Sequence, residues 1–217
     1  MGRLQPVWII VNMTMCFHVG NGMEILDNGE NLDIRKAVNT SETLWLFEQT
    51  YLNGFYSTYE RKIYFEEETC IRNDMVNISE TYYYFTETME VELEDENATT
   101  NYKGIFSSND SKSMTVINFD ARSARQLWTL QYQDPENGPC MVFIIQELQA
   151  KLSDDIGVCH MYIRGKPKGS DPPNGCKIFF SERCNSATIY KPYRDSCKDG
   201  KSSDTVEDNN IGFSNQI

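Results

Sequence analysis

The chain is poor in histidine, with 2 in 217 residues, and poor in cations, with 20 Lys and Arg against 32 Asp and Glu for a formal net charge of −12. That acidic balance excludes a nucleic-acid partner, because a phosphate backbone is held by basic surfaces that release counterions. A neutral or cationic ligand suits it better. The shortage of histidine leaves little machinery for nucleophilic triads or zinc hydrolysis. Paired carboxylates can act as acid and base, but among 32 acids sequence proximity singles out no pair. The expectation is a protein that is not an enzyme and carries no cofactor. There is no Cys-x-x-Cys pair and no histidine cluster, so no metal site is expected. No apolar run reaches the length of about 20 residues that a membrane span needs, and no internal repeat is visible.

What is present begins with an N-terminal segment unlike the rest. Residues 1–22 carry one cation, Arg3, no acids, an apolar run from Val7 to Val19, and then Gly20-Asn21-Gly22. This reads as a signal peptide. Its removal takes away Cys16 and leaves six cysteines, Cys70, Cys140, Cys159, Cys176, Cys184 and Cys197, and one histidine, His160. An even count in a secreted chain points to three disulfides, for which sequence alone allows fifteen pairings. Asn39, Asn77, Asn97 and Asn109 each head an Asn-x-Ser/Thr acceptor sequon. Leader, even cysteines and sequons together predict a secreted, extracellular glycoprotein. The mature domain is expected over residues 23–198, followed by a polar, disordered tail over 199–217.

Leu32 to Val38 places Ile34, Ala37 and Val38 at helical spacing and predicts a short helix. From there the pattern changes to strands: Leu44 to Leu52, Lys62 to Val76, Glu80 to Glu94, Thr100 to Phe106, Met114 to Phe119, Gln126 to Tyr132, Met141 to Leu148 and Val158 to Arg164. These eight runs are rich in aromatic and β-branched residues and are separated by Asn, Asp, Ser, Gly or Pro clusters. Eight strands in succession most simply form an antiparallel up-and-down barrel, wide enough for one small ligand. A β-sandwich is the competing architecture. A second helical segment follows Pro172-Pro173-Asn174 and runs through Cys184, and Thr188 to Tyr193 is extended.

Several segments, taken in order, resemble the tick salivary lipocalins, the family that includes the histamine-binding proteins. Asp33-Ile-Arg-Lys-Ala-Val38 is similar to the family's opening helix, with Arg35 where tryptophan is usual. Gln49-Thr50-Tyr51 resembles the end of its first strand, and Thr69-Cys70 its second-strand cysteine. Cys140-Met-Val-Phe-Ile-Ile145 and Cys159-His-Met-Tyr162 resemble its two late cysteine-bearing strands, and Cys176, Cys184 and Cys197 its closing cysteines. The likeness spans residues 33–198 and is sparse between Glu80 and Asn118. It implies a lipocalin barrel with a short N-terminal helix and a C-terminal helix stapled by disulfides. The implied pairs are Cys70 with Cys197, Cys140 with Cys176, and Cys159 with Cys184.

With Cys140 and Cys159 facing outward, strand alternation turns Met141, Phe143, Ile145, His160 and Tyr162 inward. Trp128, Leu130 and Tyr132 alternate with Thr129 and Gln131 and are expected to face in, while Phe47, Gln49 and Tyr51 share one face of the first strand. The expected ligand-binding set is therefore Phe47, Gln49, Tyr51, Trp128, Tyr132, Phe143, His160 and Tyr162. Aromatic linings with a few polar tips suit small molecules, and ring faces also hold cations. Amine-binding members of the resembling family carry a glutamate where this chain has His160, and an aspartate where it has Gly54. Other acids, such as Glu48, Glu66 or Glu90, are candidates to replace them. The resemblance implies sequestration of a small host inflammatory mediator, by default a biogenic amine such as histamine or serotonin. Two alternatives stay open: His160 meeting the carboxylate of a leukotriene or fatty-acid mediator, and binding of a host immune protein, for instance by the acidic run Glu90 to Glu96. No nucleic acid and no membrane is expected as a partner.

Overall fold

The computed structural model describes residues 31–91, 97–119, 125–135, 138–148, 157–167, 171–184 and 188–197. The expected leader and tail, and Cys16, lie outside the described residues. The elements are α1 (Ile34–Val38), β1 (Leu44–Gln49), β2 (Gly54–Tyr59), β3 (Lys62–Ile78), β4 (Tyr82–Val91), β5 (Ala98–Phe106), β6 (Ser113–Asn118), β7 (Arg125–Gln133), β8 (Cys140–Glu147), β9 (Val158–Arg164) and α2 (Asn174–Arg183). All strand pairings are antiparallel, each of β3 to β9 bonding the next, and β1 bonds both β9 and β3. The result is a closed up-and-down barrel of eight strands, β1 with β3 to β9, so the sandwich alternative falls.

The ninth strand, β2, was not expected. It pairs only with the first half of β3, from Gly54 opposite Glu67 to Tyr59 opposite Lys62. The turn between them puts Glu60 and Arg61 at φ of 49° and 68°. Two left-handed residues in a two-residue hairpin loop give the type I′ twist that flanking strands favour, usually supplied by Asn-Gly. Expected β1 correspondingly stops at Gln49 rather than Leu52.

One end of the barrel is plugged by α1. Asp33 caps it by accepting a hydrogen bond from the Lys36 N–H (3.2 Å), and Ile34, Ala37 and Val38 are buried in the interior cluster. The Arg164 guanidinium donates to the Ala37 carbonyl at 2.9 Å and ties the helix to β9. The interior is filled by Leu44, Leu46, Ile71, Tyr83, Phe85, Met114, Val116, Leu130, Met141, Phe143 and Tyr162 around Trp128.

A second cluster lies outside the barrel wall, where α2 packs on β7, β8 and β9. Phe179 stacks on Tyr132 with ring centroids 4.9 Å apart. Disulfides Cys140–Cys176 and Cys159–Cys184 fix the two ends of this helix to β8 and β9. The segment after it runs across β1: Tyr190 exchanges backbone hydrogen bonds with Gln49, and Tyr193 contacts Trp45 edge-on and Phe47 face-on. Cys70–Cys197 then fastens the last described residue to β3.

Two residues expected to face inward face outward instead. Phe47 and Tyr132 belong to the outer cluster. Each lies at a break in register, between Leu46 and Glu48 on β1 and between Leu130 and Tyr132 on β7. An inserted residue shifts the side-chain phase by one, so Gln49 and Leu130 face in while Phe47 and Tyr132 face out.

Cys70–Cys197 closes a loop of sequence separation 127, the longest of the three. In the chain-entropy account a loop of that size stabilises by about 4 to 5 kcal/mol. Replacing both cysteines by serine should lower the denaturant midpoint by an amount of that order while leaving the far-ultraviolet dichroism of the sheet intact. An unchanged midpoint would show that the barrel does not depend on this staple.

Candidate functional site

At the end away from α1 the barrel opens into a cavity of about 420 Å³, lined by Leu46, Tyr51, Asn53, Glu87, Tyr102, Gln126, Trp128, Ile145, Glu147, Val158 and His160. That volume lies within the range of small-molecule sites, roughly 300 to 1,000 Å³. Strand alternation brings the set together: Leu46 from β1, Glu87 from β4, Tyr102 from β5, Gln126 and Trp128 from β7, Ile145 and Glu147 from β8, and Val158 and His160 from β9.

Trp128 is the floor. Its indole N–H donates to Gln126 Oε1 at 3.0 Å, which fixes the ring, and it lies against Phe85, Phe143 and Tyr162 at centroid distances of 5.7, 5.8 and 6.0 Å. Phe143 and Tyr162 therefore stand below the cavity as core. Tyr51 is at the rim, half exposed. Gln49 is buried opposite His160 in the β1–β9 register, on the same side of the sheet. Of the eight residues expected at the site, three line the cavity (Tyr51, Trp128 and His160), three lie inside the barrel beside or beneath it (Gln49, Phe143 and Tyr162), and Phe47 and Tyr132 are outside.

The acids that line the cavity are none of the candidates Glu48, Glu66 and Glu90. Glu48 pairs with Lys191 outside the barrel at 3.1 Å, Glu66 is buried on the β2–β3 hairpin, and Glu90 falls on the opposite face of β4 from the cavity. Two other acids, Glu147 and Glu87, line it instead, and the more enclosed of the two is Glu87. Burial pushes its pKa up from 4.5 to about 7; the neighbouring Glu68 charge adds to the rise, and the Tyr102 hydroxyl, donating to the carboxylate, opposes it. Glu68 is itself raised by burial. The signal was present in Tyr83-Tyr84-Phe85-Thr86-Glu87: Tyr83 and Phe85 are interior, and period-2 alternation carries Glu87 to the same side.

His160 behaves in the opposite sense. Burial lowers its pKa from 6.5 to about 4, so the imidazole is neutral at physiological pH, and its Nδ1 has no hydrogen-bond partner in the protein. The cavity wall thus offers a buried carboxylate, a second carboxylate at Glu147, a neutral imidazole and aromatic faces, with no lysine or arginine among its lining residues. A cation is the charge it can neutralise.

No family model and no curated protein matches the chain. Among solved structures the chain is similar to Japanin from Rhipicephalus appendiculatus bound to cholesterol, at 11% identity over 73% of this chain and 96% of that one, with a TM-score of 0.48. It is also similar to apocrustacyanin C2, at 10% identity over 72% and 78% with a TM-score of 0.46. A third is lobster apocrustacyanin A1, at 11% identity over 72% and 78% with a TM-score of 0.45. At these values the likenesses bear on neither ligand nor site residues.

The two shifted groups act oppositely on stability. Between pH 4.5 and about 7 the folded state keeps the Glu87 proton that the unfolded chain has lost, so stability falls as pH rises. Between about 4 and 6.5 the unfolded chain holds the His160 proton that the folded state lacks, so stability rises with pH. Glu87→Gln removes the first effect alone. Melts at pH 8 should show the variant more stable than the parent by up to about 3 kcal/mol, with the gain shrinking toward pH 5. Equal stability at both pH values would mean that Glu87 ionises in the barrel as it does in water.

Proposed function

We propose that this chain is a lipocalin of the tick salivary type, secreted and glycosylated, that sequesters a small cationic host mediator, a biogenic amine such as histamine or serotonin, to blunt host defence during feeding. The observation that carries the reading is Glu87, a carboxylate desolvated beside Tyr102 and above the Trp128 floor. A carboxylate held away from water without a counter-ion is costly. An ammonium entering the cavity supplies the missing charge, and the rings of Trp128, Tyr102 and Tyr51 supply faces that attract a cation. The default ligand of the resembling family is thus recovered by an acid at a different place, while His160 and Gly54 stand where its usual acids would be.

The mechanism is stoichiometric. A preformed cavity lowers the free mediator concentration by binding, and no bond is made or broken. The exposed acceptor positions Asn39, Asn77, Asn97 and Asn109 are compatible with sugar at each. A leukotriene or fatty-acid ligand is the less favoured occupant, because its carboxylate would face Glu87 and Glu147 with a neutral His160 and no lining cation to meet it.

A host protein is a second reading. One observation favours it: the β2–β3 hairpin exposes Phe55, Tyr56, Ile63, Tyr64 and Phe65 beyond the barrel wall.

Calorimetry of the secreted protein against histamine, serotonin and a leukotriene separates these outcomes. The expected result is submicromolar amine binding and none for the lipid. Glu87→Gln should weaken the amine by about 2 to 5 kcal/mol, the cost of leaving a buried charge unpaired. Because the ligand must displace the Glu87 proton, parent affinity should fall about tenfold per pH unit once the pH is well below 7. Lipid binding without amine binding would reverse the assignment, and no heat with any of the three would favour the protein partner.

A further inference from the structure

On the outer face of the barrel, away from α2, the wall carries an apolar recess of about 650 Å³ whose lining includes Val76, Asn77, Tyr84, Lys103 and Phe119 and takes in Tyr102, which also lines the mouth cavity. Val76 is 67% exposed and Phe119 51%. The rings of Tyr84 and Phe119 lie nearly parallel, 12° apart with centroids at 6.2 Å, and the Lys103 ammonium sits over Tyr82 at 3.8 Å and near Tyr84 at 5.5 Å. Contiguous aromatic surface of this kind is unusual on a protein that works alone in solution. Asn77 is directly opposite Tyr84 in the β3–β4 register, so the two side chains leave the same face of the sheet as neighbours. Asn77 is also the acceptor of the sequon Asn77-Ile78-Ser79, and it is exposed.

We propose that Asn77 carries an N-linked glycan whose first sugars lie in this recess, packed on Tyr84 and Phe119. The proposal rests on the reading of the chain as a secreted glycoprotein. Attachment forms a bond between Asn77 Nδ2 and C1 of the first N-acetylglucosamine, breaks the C1–O bond to a lipid-linked pyrophosphate donor that leaves with the electron pair, and releases one amide proton. The geometry then does the rest. A pyranose presents polarised C–H groups on its flat face, and aromatic faces are negative. The attachment atom lies beside the rings, so little chain entropy is lost in bringing sugar and ring together. Val76 gives the recess an apolar edge, and its neighbour Lys103, held over the tyrosine rings, lies within the same lining to meet sugar oxygens. The glycan thus covers the surface that would otherwise be the barrel's exposed apolar face.

The test uses the full chain secreted from cultured eukaryotic cells. Glycopeptide mass spectrometry should find Asn77 occupied. In the unaltered glycoprotein, proton NMR should show the acetyl methyl of the Asn77-linked sugar shifted upfield by ring currents, with cross-relaxation to Tyr84 and Phe119 ring protons. Asn77→Gln should lower Tm by about 2 to 4 °C, the shift that one ordinary contact gives a domain of this size, and the loss should vanish in a Tyr84→Ser background. Should that background fail to fold, the NMR contact decides alone. An occupied Asn77 without ring contact overturns the packing. Sugar at Asn39, Asn97 or Asn109 but not at Asn77 overturns the site, whereas four empty sequons overturn it together with the secretion reading.

Discussion

The contact between β1 and β3 closes the barrel through two register pairs, Leu44 with Asn73 and Trp45 with Arg72, and every interior position depends on that closure. So short a seam exposes backbone and aromatic surface on the outside unless something covers it. Arg72 lies over the Trp45 ring at 5.5 Å, and Tyr193 packs on Trp45 and Phe47. The Cys70 N–H donates to the Pro192 carbonyl at 2.8 Å. Cys70 itself has φ of 51°, in the left-handed region. It stands where the β3–β4 register jumps from Thr69 to Arg72, so β3 can serve β2 with its first half and the barrel with its second.

With the seam closed, the interior divides by depth. Near α1 it is packed with aliphatic and aromatic groups. Near the mouth the same strands present Glu87, Tyr102, Gln126 and His160. The mouth is thus the part of the interior where a ligand can meet polar groups. Holding an acid in a partly desolvated wall destabilises the empty protein at neutral pH. A fold held by three disulfides can tolerate that cost, which is the usual relation between a stable scaffold and a strained site.

The architecture was legible in the sequence because its carriers are periodic. Runs such as Tyr82 to Val91 and Cys140 to Glu147 combine aromatic and β-branched residues with alternation, and Pro172-Pro173-Asn174 marks the start of the second helix. What escaped was aperiodic. The β2–β3 hairpin turns at Glu60-Arg61, which lacks the Asn-Gly chemistry that announces a type I′ turn. The register breaks on β1 and β7 have no residue signature, yet they decide the face of Phe47 and Tyr132. Glu87 was readable from the phase of Tyr83 and Phe85, but an acid in an acidic chain does not stand out until the strand's inner face is known.

The cover over the seam comes from the far end of the chain. Residues 188–197 can reach β1 and Cys70 only after nearly all of the polypeptide exists, and β1 must also wait for β9. Closure thus waits on contacts distant in sequence, which slows folding. Until Cys197 arrives, Cys70 is free to pair wrongly and the edges of β1 and β3 are open to other chains. The barrel's durability and its vulnerability during folding have the same source: a segment made late is the one that locks the first strand in place.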